Sequence, residues 1–164
     1  WCTHLRRKGF AFVETLEHEV THAIFALLTG HRLMKLEASH TENGWMQYSG
    51  GQGNWLITIS PYFFPTFCLG LMIPFSLAGP SITAAGNLLL GASFALHVTS
   101  TCRETHSYQT DLKRVGYPFS WAFLPAANIL STGLVLAFAC GGSSGMRLFL
   151  TDVSYRLRML VLPG

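Results

Sequence analysis

Charged residues are scarce in this sequence. Only 12% of its 164 residues are Asp, Glu, Lys or Arg, whereas 49% are hydrophobic, and the mean hydropathy is +0.34. Soluble domains usually carry about 25% charged residues. This deficit disfavours an ordinary soluble domain and indicates a membrane protein. We therefore predict the lipid bilayer as one of its partners.

Paired cysteines and large basic patches are also missing. The four cysteines form no Cys-x-x-Cys spacing, so neither a redox motif nor a zinc ribbon is supported. Arg6, Arg7 and Lys8 form the single tight basic cluster in a chain of net charge +3. Such a cluster is typical of the flank of a membrane segment and is too small for a nucleic-acid surface. We therefore predict no nucleic-acid partner.

Long apolar segments, in contrast, are plentiful. Each of four segments approaches the ~20 residues that a helix needs to cross a bilayer. They are Gly9–Thr29, Pro61–Ala78, Ser81–Ser100 and Pro118–Cys140, and the last three contain no Asp, Glu, Lys or Arg. We predict a mainly α fold, a polytopic bundle of about four membrane helices, in which internal prolines such as Pro65 kink or interrupt the helices.

A different pattern separates the first two segments. Within residues 31–60, the stretches "HRLMKLEA", "GWMQYS" and "NWLITIS" read as strands, and Asn43-Gly44 is a turn signal. We predict a small antiparallel β-sheet inserted between helices 1 and 2. The tail, about 145–164, mixes arginines with apolar residues, which indicates an interfacial helix or a fifth, poor span. Residues 1–164 are predicted to form a single membrane-embedded domain.

The first segment carries a His-Glu-x-x-His pattern formed by His18, Glu19 and His22. Residues four apart lie on one face of a helix, so both imidazoles can reach one zinc ion. When the helix is viewed along its axis, Glu19 lies close to the face that carries the two histidines. It can therefore accept a proton from a zinc-bound water. Glu14, one turn earlier, either accepts a hydrogen bond from His18 or is a surface carboxylate. Glu17 lies off this face, and we predict no function for it.

Small residues follow this pattern at Ala23, Ala26 and Gly30. A membrane helix with these features resembles the site-2 protease family of intramembrane zinc metalloproteases, of which stage IV sporulation protein FB is a bacterial member. The resemblance implies a first helix that carries zinc ligands, followed by a small sheet and then by further membrane helices. It also implies that a later helix supplies an aspartate as the third zinc ligand.

The third ligand must come from outside the first helix, because a catalytic zinc has three protein ligands and one open position. The resemblance selects Asp111, although the Leu-Asp-Gly context usual in the family is replaced here by "QTDLKRVG". His106 and His97 are the alternatives. Asp111 is also able to cap a helix or to pair with Arg114.

These observations predict an intramembrane zinc metalloendopeptidase with one zinc ion per chain. Its substrates are expected to be membrane-spanning or membrane-proximal segments of other proteins. The expected location is a bacterial cell membrane, with the chain as a multi-pass integral protein. The main alternative is a catalytically inactive pseudo-protease that binds membrane-protein partners. A transporter or channel that uses the histidines and glutamates as a relay is a third hypothesis.

Overall fold

Helices dominate the described residues, which also contain a small sheet after the first helix. A computed structural model describes residues 2–37, 45–50, 54–79 and 83–161. In chain order the elements are α1 (Cys2–Leu28), β1 (Leu33–Glu37), β2 (Trp45–Tyr48), α2 (Trp55–Ile59), a 3-10 turn (Ser60–Tyr62), α3 (Thr66–Ala78), α4 (Ala84–Glu104), α5 (Thr110–Val115) and α6 (Tyr117–Val161). The prediction of a mainly α fold with a small sheet after the first helix is confirmed.

The sheet has two antiparallel strands in the described residues, with Leu36 opposite Met46 and a register shift between Leu33 and Lys35. The predicted third strand, "NWLITIS", is wrong, because this stretch forms helix α2. Asn54 caps the helix by accepting a hydrogen bond from the Leu56 N–H at 3.0 Å, a frequent helix start. The predicted Asn43-Gly44 turn lies outside the described residues.

The described residues contain fewer candidate membrane spans than the four predicted. In the described ranges, α6 is the one helix that is long and apolar enough to cross a membrane. The pair Trp55–Tyr62 and Thr66–Ala78 adds a second span if its two parts, bent by 78°, are counted together. The bend lies at Pro65, which precedes α3. The four-span bundle is therefore not confirmed. Exposed side chains such as Leu77 (84%) and Leu88 (76%) nevertheless give the helices apolar surface.

Helix α6 reverses direction at Gly142. This residue has φ 57° and ψ −147°, outside the helical region, and glycine adopts a positive φ without steric cost. A Cβ on Gly133 would lie 2.5 Å from the ring of Phe149. The two residues would be about 24 Å apart in a straight helix, so the arms on either side of Gly142 fold back against each other.

The position of α1 is fixed by contacts with the start of α3. The Glu17 carboxylate accepts a hydrogen bond from the Phe67 N–H at 3.1 Å, and the hydroxyls of Thr21 and Thr66 are 2.5 Å apart. The Asn128 side chain of α6 donates to the Tyr62 carbonyl at 2.9 Å. The bonds to the Phe67 N–H and the Tyr62 carbonyl satisfy backbone groups near the break before α3. They hold α1 and the bent segment in a fixed relation.

Candidate active site

The two candidate histidine ligands of α1 face each other through their Nε2 atoms, and the Nδ1 atom of each ring contacts an oxygen atom of another helix. Their Nε2 atoms are 3.0 Å apart. His22 donates its Nδ1–H to the Ile57 carbonyl at 2.7 Å, and His18 Nδ1 lies 2.7 Å from Glu104 Oε2. A carbonyl and a carboxylate only accept hydrogen bonds, so the proton of each neutral ring lies on Nδ1. Both Nε2 atoms then present lone pairs to the same point.

Asp111 approaches this point from helix α5. Its Oδ2 lies 3.5 Å from Nε2 of His18 and 3.5 Å from Nε2 of His22. The Tyr62 hydroxyl donates to the same oxygen at 3.5 Å. Burial raises the pKa of the Asp111 carboxyl, but in the metal-free site an imidazole that carries a proton on Nε2 donates it to Oδ2, and these hydrogen bonds from His18 and His22 outweigh burial and hold that pKa below its ordinary value. Asp111 is therefore ionised at neutral pH.

The other two candidates for the third ligand contact other groups. His106 lines the same cavity, but its Nδ1 accepts a hydrogen bond from the Tyr108 N–H at 3.2 Å. His97 is buried with its Nδ1 at 3.9 Å from Glu17. In the part of the chain that the structure describes, the group able to hold a metal ion consists of His18, His22 and Asp111.

The three facing atoms fit a zinc ion. Zinc bonds to nitrogen and oxygen ligands of ~2.0–2.2 Å place the corners of a tetrahedron about 3.3–3.6 Å apart. The observed separations of 3.0, 3.5 and 3.5 Å are close to this value. Two ring lone pairs and a carboxylate oxygen repel one another unless a cation or proton lies among them. The donor set and its spacing therefore suit a divalent cation.

Glu19 lies beside this group on the wall of a cavity. The cavity has a volume of about 730 Å³ and is lined by residues of α1, β2, α2, α4 and α5 and of the α4–α5 loop. Glu19 is only 8% exposed, and within the described ranges its carboxylate forms no hydrogen bond or ion pair. A buried carboxylate without a protein partner, one residue from a candidate ligand, is free to accept a proton from a water molecule.

Sequence reasoning missed Glu104. This residue lies 86 positions after His18, so no local pattern connects the two. Its Oε2 contacts His18, and its Oε1 accepts a hydrogen bond from the Ser100 hydroxyl at 3.2 Å. Both alternatives for Glu14 are wrong, because its buried carboxylate pairs with Arg103. The one available signal was its place four residues after the third apolar segment, on the side from which Asp111 was expected to enter.

Comparison with models of known protein families identifies the family of this chain. The amino-acid sequence matches the family model described as Peptidase M50B-like over residues 1–109, two-thirds of the chain. The chain belongs to the peptidase M50B-like family. This is a site-2 protease family, so the family resemblance is confirmed, while a specific likeness to stage IV sporulation protein FB is not. No curated protein and no solved structure matches the chain.

Membership in the M50B-like family supports a membrane-embedded protease, whereas a multi-pass topology is not confirmed. The matched stretch contains His18, Glu19 and His22 and ends two residues before Asp111. The assignment of Asp111 in this M50B-like chain therefore depends on the geometry described above. The alternatives in which Asp111 pairs with Arg114 or caps a helix find no support, since Asp111 contacts the histidines and Gln109 precedes α5.

Replacing Glu104 with Ala in this M50B-like protein is expected to weaken zinc binding by about 10–100-fold. The His18 ring then loses the acceptor that fixes its orientation and its Nδ1 proton. Competition with a fluorescent zinc chelator measures the affinity. Glu14→Ala is the matched control, because it removes a buried carboxylate of the same helix pair that contacts Arg103 instead of a histidine. Equal zinc affinities for Glu104→Ala and the unaltered protein would contradict this role.

Proposed function

We propose that this M50B-like peptidase is an intramembrane zinc metalloendopeptidase. Its substrates are membrane-spanning or membrane-proximal segments of other proteins. One observation carries the proposal: the facing ligand atoms of His18, His22 and Asp111 lie within 4.8 Å of one another, and Glu19 lines the same cavity. This combination of two imidazoles, one carboxylate and an adjacent free carboxylate is typical of hydrolytic zinc sites.

In this proposal, His18, His22 and Asp111 hold one zinc ion per chain. When bound, zinc lowers the pKa of a water molecule and polarises the carbonyl group of a peptide. Glu19 accepts the proton of the attacking water while the water oxygen bonds to the carbonyl carbon. Glu19 then returns that proton to the leaving amine as the carbon–nitrogen bond breaks. Glu104 and the Ile57 carbonyl keep both imidazoles oriented throughout.

The substrate has to be extended at the cleavage site, because a helix shields its peptide bonds by internal hydrogen bonds. Met46 and Tyr48 of β2 line the cavity, and in the described residues β2 pairs with β1 alone. An extended substrate segment is able to add to the sheet beside β2 by main-chain hydrogen bonds. This places the unwound peptide next to Glu19 and the candidate ligands.

The pseudo-protease alternative gains no support. An inactive relative is expected to lack the base or a ligand, whereas Glu19 and the three candidate ligand residues all line one cavity. The transporter hypothesis gains none either, since the family is a peptidase family. We therefore favour the metalloendopeptidase over both alternatives.

The proposal is tested with the purified protein in proteoliposomes that contain a single-span model substrate. We expect cleavage in the presence of zinc, loss of cleavage after treatment with 1,10-phenanthroline, and recovery when zinc but not magnesium is restored. Mass spectrometry of the fragments locates the cut. Cleavage that continues in protein shown to be free of zinc would overturn the metal mechanism, and intact substrate under all conditions would overturn the protease.

A further inference from the structure

Helix α5 brings two charged side chains to the cavity. Thr110, Asp111 and Arg114 line it, whereas Leu112 and Lys113 do not. Positions i, i+1 and i+4 share one face of a helix, which explains this selection. Arg114 follows Asp111 by three residues, so the two side chains are neighbours on the helix surface, about 5–6 Å apart at their Cβ atoms.

Arg114 is the cation of this cavity that has no counter-ion in the described ranges. The other cavity guanidinium, that of Arg103, is paired with the buried carboxylate of Glu14. The carboxylates of Glu104 and Asp111 contact the two candidate histidine ligands. The exposed guanidinium of Arg114 forms no hydrogen bond or ion pair with a described residue. Its five N–H groups are therefore available to a molecule that enters the cavity.

We propose that Arg114 forms a subsite for an acidic side chain of the substrate, close to the scissile bond. The inference rests on the proposed function, because it takes a polypeptide as the occupant of the cavity. A guanidinium binds a carboxylate through two parallel hydrogen bonds. One helical turn separates Arg114 from Asp111, and an extended chain advances about 3.3 Å per residue. The acidic residue lies within about two positions of the cleaved peptide bond.

Peptide binding tests the subsite without depending on cleavage. The protein carries Glu19→Gln so that bound peptide stays intact, and it is loaded with zinc in detergent micelles. The probes are three fluorescent octapeptides, identical except for Glu, Gln or Lys at one central position. Each is titrated against protein with Arg114, with Arg114→Glu, and with Lys113→Glu. Lys113→Glu is the matched control, because the same charge change falls on the neighbouring residue, whose ammonium lies 5.6 Å from the Tyr108 ring centre and outside the cavity lining.

The protein with Arg114 is expected to bind the Glu peptide about tenfold more tightly than the Lys peptide. Arg114→Glu is expected to reverse this order, and Lys113→Glu to preserve it. The difference should shrink as salt rises. An unchanged order in Arg114→Glu, an equal effect of Lys113→Glu, or the absence of binding by all three peptides would each overturn the subsite.

Two further outcomes separate this inference from its alternatives. If Arg114→Glu alters binding to phosphatidylglycerol vesicles but leaves the peptide order unchanged, the guanidinium binds a lipid headgroup and the subsite is overturned. If the unaltered protein cuts a neutral model substrate but shows no charge preference, the subsite fails and the protease stands. If the charge preference is present but no substrate is cut, the subsite stands and the proposed reaction fails.

Discussion

Replacing Glu19 with Gln is expected to slow cleavage by about 10²–10⁴-fold while the protein keeps one zinc ion per chain. This is the range that a positioned general base contributes. The amide has nearly the shape of the carboxylate but accepts no proton from water at neutral pH. The three candidate ligand atoms belong to other residues, so zinc binding should persist. Rates in proteoliposomes and zinc content by atomic spectroscopy measure both effects.

Asp152→Asn is the matched acid-to-amide control for this variant. Asp152 is exposed on α6, where it pairs with Arg156 at 2.7 Å, so its substitution should leave both rate and zinc content unchanged. Glu19→Gln protein that cuts at the unaltered rate would show that Glu19 is not the base. Loss of zinc from that variant would show instead that Glu19 is a ligand.

Replacing Asp111 with Ala is expected to give the second large effect, a loss of zinc affinity of more than about a hundredfold. Removal of an outer partner of a ligand already costs 10–100-fold, and Asp111 offers a ligand atom itself. Protein dialysed against a weak chelator should retain one zinc per chain, whereas the variant should retain almost none. Cleavage should fall with the bound zinc.

His106→Ala and His97→Ala serve as controls, because these histidines were the alternative third ligands. Both variants should keep their zinc, since His106 contacts Tyr108 and His97 faces Glu17. Zinc lost from His106→Ala but kept by Asp111→Ala would transfer the third ligand to His106. Zinc kept by all three variants would refute a three-ligand site of this kind.

Part of this site could be predicted because it is local. The spacing of His18 and His22 fixes both rings to one helix face, and the structure has their Nε2 atoms facing each other. Asp111 was selected by family resemblance, and the helix order then allowed it to reach the same side. The proximity of Asp111 to the two imidazole rings depends on tertiary structure, because the packing of α5 against α2 and α6 positions it.

The errors came from contacts distant in sequence. Arg103 and Glu104 are adjacent, yet Glu104 contacts His18 and Arg103 contacts Glu14. No spacing rule in the sequence predicts which side chain of α1 each of them contacts. The stretch after Asn54 has the composition of a strand, but three consecutive residues, Ile57 to Ile59, are buried. A cap and burial on both sides favoured a helix over the alternating pattern of a half-exposed strand.

The distance in sequence between the candidate ligands has a consequence for unfolding. His22 and Asp111 are 89 positions apart, and an ion that binds both joins the ends of that stretch much as a covalent cross-link does. Because the unfolded chain does not assemble these ligands, free zinc at 100 times its dissociation constant would add about 2.7 kcal/mol to the free energy of unfolding. The melting temperature of this protein should therefore rise with the zinc concentration of the buffer, and the Asp111→Ala variant should lose most of that dependence.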